Sequence, residues 1–286
     1  MKNIILIICI FQVINLFSQK DPDYVFYNCN MMAYNPGAAK SFSNFEVDSY
    51  FQQQQIGLEN NPTTFLFSAQ KSIFNKTSGI GLNVIINDDY LFKNLHSNIN
   101  YAYEINIKNS LLRIGIGLGI LHNILKEEWV TTEITNSKKT NFDANIGLLY
   151  ILTFTKYKQL ILGLSSTHIT NPLVVENQIN ENMNFPRTYY LSGQYRYDLP
   201  NGLISLLPSV LIKTDLINTE SRFSLYSKIN INGFWLIGLS YSTNKSVNIM
   251  LGLDGKSTIG ISYDIMFGTP NIGGAFSIIL RSKFWR

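Results

Sequence analysis

One short run constrains the fold of this chain more than any other. Leu111 to His122 reads LLRIGIGLGILH, with Leu112, Ile114, Ile116, Leu118 and Ile120 on one side and Arg113, Gly115, Gly117 and Gly119 on the other. Side chains of an extended strand alternate between faces, whereas a helix needs apolar residues three and four apart, so this run reads as a strand with two unlike faces. Ser257 to Phe267 repeats the design, with Ile259, Ile261, Tyr263, Ile265 and Phe267 against Gly260, Ser262, Asp264 and Met266. Val247, Ile249, Leu251 and Leu253 likewise alternate with Asn248, Met250, Gly252 and Asp254. About fourteen such runs are predicted, starting near Phe45, Thr63, Ser78, Ser97, Ser110, Asn141, Lys158, Thr188, Gly202, Ser221, Gly233, Ser246, Ser257 and Ala275. An even number is what a closed antiparallel barrel requires.

A soluble β-sandwich with an aromatic tail is the competing architecture, but its exposed faces would carry more charge. Here charged residues are 15% and aromatics 13%, with 18 Phe and 16 Tyr. After residue 18 no apolar run reaches the roughly 18 residues of a helical membrane span. The chain therefore reads as all-β, a transmembrane antiparallel outer-membrane β-barrel of about fourteen strands with its apolar face toward lipid. Its start fits export: Lys2 precedes an apolar core from Ile4 to Leu16, and Leu16-Phe17-Ser18 offers a small residue for cleavage. Residues 1–18 are expected to be a signal peptide, since the core is too short to cross a bilayer. Cys9 lies within that core, so it is not placed for lipidation, and Cys29 is left alone, unable to form an internal disulfide. The net charge of +4 is scattered, which gives no nucleic-acid footprint.

The connections test the barrel independently. With the N-terminus on the periplasmic side, those after even-numbered strands should be short: Phe74 to Thr77, Lys108-Asn109, Phe154 to Tyr157, Pro200-Asn201-Gly202, Asn232-Gly233 and Gly255-Lys256. Glycine-containing pairs supply the positive φ of tight hairpins. The others should be longer, notably Asn123 to Thr140 and Ile169 to Arg187, with Thr243 to Lys245 a short exception. Phe284-Trp285-Arg286 supplies the aromatic end usual for outer-membrane insertion. Tyr101, Tyr103, Tyr189, Tyr190, Tyr195, Tyr197, Phe234 and Trp235 include residues near strand ends that would form interfacial girdles.

The second face would line a lumen of Gly, Ser, Asn and Gln with charges such as Arg113, Arg196 and Lys228. Its glycines are expected to ease barrel curvature; the sharper alternative is that they leave room for an inserted segment, either the chain's own or a partner's. Residues 19–44, ahead of the barrel at 45–286, form a short periplasmic or plug-like pre-barrel segment containing MMAYNPGAAK. Asn35 favours turn initiation, Pro36 fixes its own φ and restricts Asn35, and Gly37 relieves the next position. This bend would send the segment into the lumen or across the periplasmic mouth. Asn35, Pro36 and Gly37 are the candidate binding residues.

No pattern supports an enzyme, a cofactor or a metal. His96, His122 and His168 fall near predicted outward strand ends without a metal-motif spacing, so they read as surface loop residues. Gly163-Leu-Ser165-Ser-Thr167 lacks the second glycine of a nucleophile elbow. Asp88-Asp89 lacks the rest of a calcium loop, and Lys126-Glu127-Glu128-Trp129 reads as a solvated loop entry. A dispersed Ser/His/Asn lipolytic site stays open as a minor alternative.

Several phrases together resemble the PorP/SprF family of type IX secretion system outer-membrane proteins. They are Gln19 to Asp23 followed by Asn35-Pro36-Gly37-Ala38, Asn61-Pro62-Thr63-Thr64 leading into FLFSAQ, and GIGLNVIIND from Gly79. Leu207 to Lys213, with Pro208 inside a strand, is the most specific, joined by FWLIGLSY from Phe234, IGISYDI from Ile259 and the terminal ILRSKF. The chain departs from the family at Gly37, where Ala is usual, at Lys40, where Gly is frequent, in the short loop after Asn87, and in the extension to Arg286. The resemblance implies a non-enzymatic role in exporting or anchoring specific cell-surface proteins, gliding adhesins among them. Its implied partners are the C-terminal domains of secreted cargo, periplasmic and outer-membrane secretion and gliding components, and outer-membrane lipid. A passive small-solute channel is the alternative.

Overall fold

The computed structural model describes residues 21–57, 60–74, 77–126, 134–136, 138–177, 183–200, 202–230, 234–267 and 273–284. The expected signal peptide, the Asn232-Gly233 turn, most of Lys126 to Trp129 and the terminal Trp285-Arg286 lie outside the described residues.

Fourteen strands close into an antiparallel barrel: β1 (Phe45–Gln53), β2 (Thr63–Ile73), β3 (Ser78–Asp88), β4 (Phe92–Ile107), β5 (Ser110–Leu125), β7 (Lys138–Thr155), β8 (Lys158–Thr167), β11 (Thr188–Asp198), β12 (Ile204–Thr214), β13 (Thr219–Asn230), β14 (Phe234–Ser242), β15 (Ser246–Leu253), β16 (Ser257–Met266) and β17 (Ala275–Phe284). Consecutive barrel strands pair along the sequence, and β1 pairs with β17, from Phe45 opposite Phe284 to Gln53 opposite Phe276. Closure leaves no unpaired edge, the condition for a sheet to stand in hydrocarbon. Three short strands, β6 (Ile134–Asn136), β9 (Leu173–Asn177) and β10 (Met183–Asn184), form a separate sheet within the connections after β5 and β8.

The alternation sorts as expected. On β5, Ile114, Ile116, Leu118 and Ile120 are each 44–51% exposed, whereas Arg113, next to Ile114, is 2% exposed. On β16 the outward Ile259, Ile261, Tyr263 and Ile265 alternate with the buried Thr258, Ser262 and Asp264. The outward row meets lipid, which is why apolar side chains are stable there without a protein partner.

Two sets of boundaries differ from the expected ones. β4 begins at Phe92 rather than Ser97 and β7 at Lys138 rather than Asn141, so with β5 they run further outward than the apolar alternation alone suggests. Asn94 and His96 interrupt the apolar pattern, yet they continue the inward row of β4. β12 starts at Ile204 because Gly202 sits in the preceding turn at φ +69°. Pro208 lies within β12 as expected, and the β11–β12 ladder skips Tyr195 and Arg196 opposite it, because proline offers no N–H to pair. The short connections lie at the end where β1 starts and β17 finishes, the periplasmic end of such barrels. At the other end three connections are short, 89–91, 215–218 and 243–245, not one.

Candidate functional site

The lumen is filled by the chain's own residues 21–44. From the periplasmic start of β1 this segment rises along the wall formed by β3, β4, β5 and β7. It turns near Tyr34 and Asn35, crosses the lumen, and reaches the outward half at Asp21, where Thr167 and Lys213 bond it. Of the two directions open to the Asn-Pro-Gly bend, the segment takes the lumen. Short 3-10 turns at Met31–Ala33 and Pro36–Ala38 make the path compact. Inside a barrel such a segment has few backbone partners of its own, so the wall supplies them. Tyr226 Oη donates to Val25 O (3.0 Å), Asn83 Nδ2 to Met32 O (2.7 Å), Ser165 Oγ to Tyr34 O (2.7 Å), and Lys213 Nζ to Asp21 O (2.9 Å).

Asn35 is 1% exposed and caps the second turn, its Oδ1 accepting from Gly37 N at 2.8 Å while its Nδ2 donates to Leu148 O at 2.9 Å. Pro36 stands at the first position of that turn, where its missing N–H costs nothing. The wall is cut to receive them. A Cβ on Gly147 would come within 2.0 Å of Asn35 Oδ1, and one on Gly115 within 2.2 Å of Gly37 N. These two glycines face the inserted chain, so the sharper expectation for the glycine-rich face holds at these positions rather than relief of curvature.

Three buried charge networks fasten the segment. Lys40 Nζ lies 2.5 Å from Glu104 Oε1, Arg113 Nε lies 2.8 Å from Glu104 Oε2, and the same guanidinium donates to Lys40 O at 2.9 Å while stacking 4.5 Å from the Phe42 ring. Lys40 is thus the segment's own contribution to an ion triad. Across the lumen Arg222 bridges Asp23 (2.6 Å) and Asp264 (3.2 Å).

The third network corrects an expectation. His96 and His168 are not surface loop residues: they are 7% and 1% exposed inside the barrel, with ring centroids 4.8 Å apart. His168 Nδ1 is 2.7 Å from Asp143 Oδ2 and its Nε2 is 2.8 Å from Asp21 Oδ1, while His96 Nε2 is 2.9 Å from Asp143 Oδ2 but off hydrogen-bond alignment. Thr167 and Tyr190 both donate to Asp21 Oδ2. Tyr190 therefore belongs to the lumen, not to an interfacial girdle; Tyr101, Tyr103 and Trp235 do face outward. Burial alone would lower the basicity of His168, but the Asp21 and Asp143 carboxylates outweigh it and raise its pKa to about 10. Burial alone would raise Asp21, but the His168 charge holds it well below the usual carboxylate range. His168 keeps a left-handed backbone, φ +53°, and its N–H is held by Asn145 Oδ1. His122 is separate, bonded to Thr140 at the outer rim. Strand parity was the signal for His96, since it shares the inward row of Asn94, Asn98 and Asn100. For His168, just past β8, no local pattern gives the direction of the ring.

The two ends of the lumen differ. At the outward end, the connection after β8 packs Val174 and Phe185 against Phe92, Leu121 and Leu125, with Phe185 4.3 Å from the His168 ring. At the periplasmic end lies a cavity of 370 Å³ bordered by Cys29, Met31, Met32 and Tyr226 and rimmed by Glu46, Arg196, Lys228, Asp254, Arg281 and Lys283.

The fold is shared with outer-membrane channels of solved structure. The CymD monoaromatic hydrocarbon channel superposes with a TM-score of 0.56 at 8% identity, over 89% of this chain and 92% of that one. The P. putida toluene transporter TodX gives 0.55 at 8% identity, over 88% and 93%. A Pseudomonas aeruginosa FadL homologue gives 0.50 at 8% identity, over 87% and 93%. At such identity the likeness concerns the fold alone. No curated protein matches the sequence. The sequence profile of the type IX secretion system membrane protein PorP/SprF matches residues 16–281, nearly the whole chain. With an outer-membrane barrel as its fold, the chain belongs to the PorP/SprF family of type IX secretion system membrane proteins.

Proposed function

We propose that this barrel is a sealed, non-enzymatic component of the secretion machinery that offers its periplasmic mouth to a partner. The partner is the C-terminal domain of a secreted cargo or a periplasmic component of the apparatus, and the outcome is export or surface anchoring of specific cargo such as gliding adhesins. The carrying observation is the occupied lumen: residues 21–44 fill it and are fastened by buried ion networks, while the cavity borders the periplasmic end. On this reading residues 1–18 are a signal peptide, 19–44 a built-in plug, and 45–286 the barrel.

Asn35, Pro36 and Gly37 act here as the pin that seats the plug. Replacing Asn35 and Pro36 together should impair cargo display while leaving barrel insertion intact; unchanged display would count against that role. For the protein as a whole, deletion of the gene should abolish surface display of a specific large protein without affecting small-solute uptake. Normal display in the deletant would sink the proposal. Co-purification of the tagged barrel in mild detergent would identify its neighbours.

A second reading, a passive channel, is supported by the fold shared with hydrocarbon channels. Planar-bilayer recordings separate the two: a steady open conductance from the intact protein favours the channel, a silent barrel the partner role.

A further inference from the structure

We propose that His96, Asp143 and His168 form a binding site for one divalent transition ion of the zinc type within the lumen, with Asp21 as the supporting carboxylate behind His168. Their three ligand atoms lie within 4.8 Å of one another, and all three residues are buried. Two imidazoles converge on a single carboxylate oxygen, at 2.7 and 2.9 Å. Zinc held at about 2.0–2.1 Å places its ligand atoms about 3.3 Å apart, so the two His–Asp contacts would lengthen by about half an ångström and the widest pair, up to 4.8 Å, would close by more than an ångström through rotation of the rings. The donor set of two imidazoles and one carboxylate suits zinc-like ions and not the hard cations calcium or magnesium.

His96 points to the ligand independently. It is more than nine-tenths buried, and its Nε2 stands 2.9 Å from Asp143 Oδ2 without hydrogen-bond alignment. A buried imidazole nitrogen left in that state is costly unless something binds it. The neighbour that sets its tautomer is also present: the Asn98 amide lies 3.5 Å from His96 Nδ1, and Asn98 Oδ1 is itself without a partner. Turning that amide over lets Oδ1 accept Nδ1–H, which satisfies both groups and frees the Nε2 lone pair for the ion.

The outer layer follows the carboxylate–histidine–metal arrangement that fixes ring orientation in metal sites. His168 would release its Nδ1 proton to solvent on binding, coordinate through Nδ1 and donate Nε2–H to Asp21 Oδ1 at 2.8 Å, and Asp21 is held in turn by Thr167 and Tyr190. Beside the two rings a cavity of 20 Å³, bordered by Asn87, Asn94 and Leu121, has room for one water as a fourth ligand. Asn94 Oδ1, buried and unpartnered, is available to accept from it.

Such an ion would join β4, β7 and the connection after β8, and through Asp21 it would tie the start of the plug to that junction. The site is a staple rather than a catalytic centre, and it does not depend on what docks at the periplasmic mouth.

The test uses the mature full-length barrel in detergent, stripped with chelator and then titrated with ZnCl₂, with metal content and the thermal midpoint of unfolding as readouts. One equivalent should bind and raise the midpoint. His96→Ala and Asp143→Asn should lose that equivalent, His122→Ala should keep it, and Asp21→Asn should weaken it by about 10–100-fold. If His168→Ala fails to fold, His96→Ala carries the test. A folded wild-type barrel with no stoichiometric zinc would overturn the site, as would a His96→Ala variant that binds as tightly as wild type.

Discussion

At the outward end of the lumen, Asp21 is gripped by His168, Tyr190, Thr167 and Lys213, beneath a cover in which Phe185 rests on His168. At the periplasmic end, Cys29, Met31 and Met32 border open space ringed by charged side chains. Both ends are built from the inward faces of the same fourteen strands, yet at one the charged groups are packed against the N-terminal segment and at the other they ring open space. Buried charge survives only where every partner is in place, so the outward end is committed to the chain's own N-terminal segment. The periplasmic rim pairs its charges at the cavity edge, Lys228 and Lys283 with the largely buried Asp254 and the exposed Arg196 with Asp198, and the exposed pair exchanges partners at little cost. The proposed docking of a partner at the periplasmic mouth rests on this contrast.

The largest effect should come from removing the contrast outright. Deleting residues 21–40 takes away Lys40, Asp23 and Asp21, the segment's own members of the three networks, while leaving every barrel strand; bilayer recordings should then show steady conductance where the intact barrel is silent. Gly147→Leu should do the same more gently, because a side chain there collides with Asn35. A silent deletion variant would mean that the segment is not what seals the lumen.

Glu104→Ala comes next. It leaves the Arg113 guanidinium, 2% exposed, buried without its carboxylate, a loss of about 3–5 kcal/mol measurable by urea unfolding in detergent. An effect under about 1 kcal/mol would show that the triad is solvated and that the plug is held elsewhere.

Asn35→Ala should cost about 1 kcal/mol by removing a turn cap, read as faster protease cleavage of the segment in the folded barrel. Cleavage unchanged from wild type would assign seating to the ion networks alone.

The smallest signal is directional. Cys29 is half-buried at the cavity, so a membrane-impermeant maleimide should label it in opened periplasmic preparations and not on intact cells. Burial pushes this thiol up, so the thiolate is scarce at neutral pH and labelling should accelerate as the pH rises toward and past 9. Labelling of intact cells would reverse the assignment of the open end.

Sequence reasoning reached the wall of this molecule far more completely than its contents. Alternation at Leu112 to Ile120 reports a local condition, lipid on one side, and the turns at Lys108-Asn109 and Gly255-Lys256 report local geometry, so strand number and pairing order were legible. The family phrases served in the same way, since strand-long runs can be matched one at a time. His96 was half-legible: its parity on β4 places it inward, although its loop-end position suggested the surface.

Alternation along the chain thus determined an apolar-coated, closed outer-membrane barrel with a polar interior, because each strand answers separately to its own two solvents. Only the tertiary structure decided what that interior holds. Asp21 and His168 stand 147 residues apart and meet at 2.8 Å because the segment ahead of β1 folds back up the lumen. Asn35 finds Leu148 in the same way. Those contacts arise from closing the sheet around the chain's own beginning, and closure is a property of all fourteen strands at once, so no window of sequence contains it.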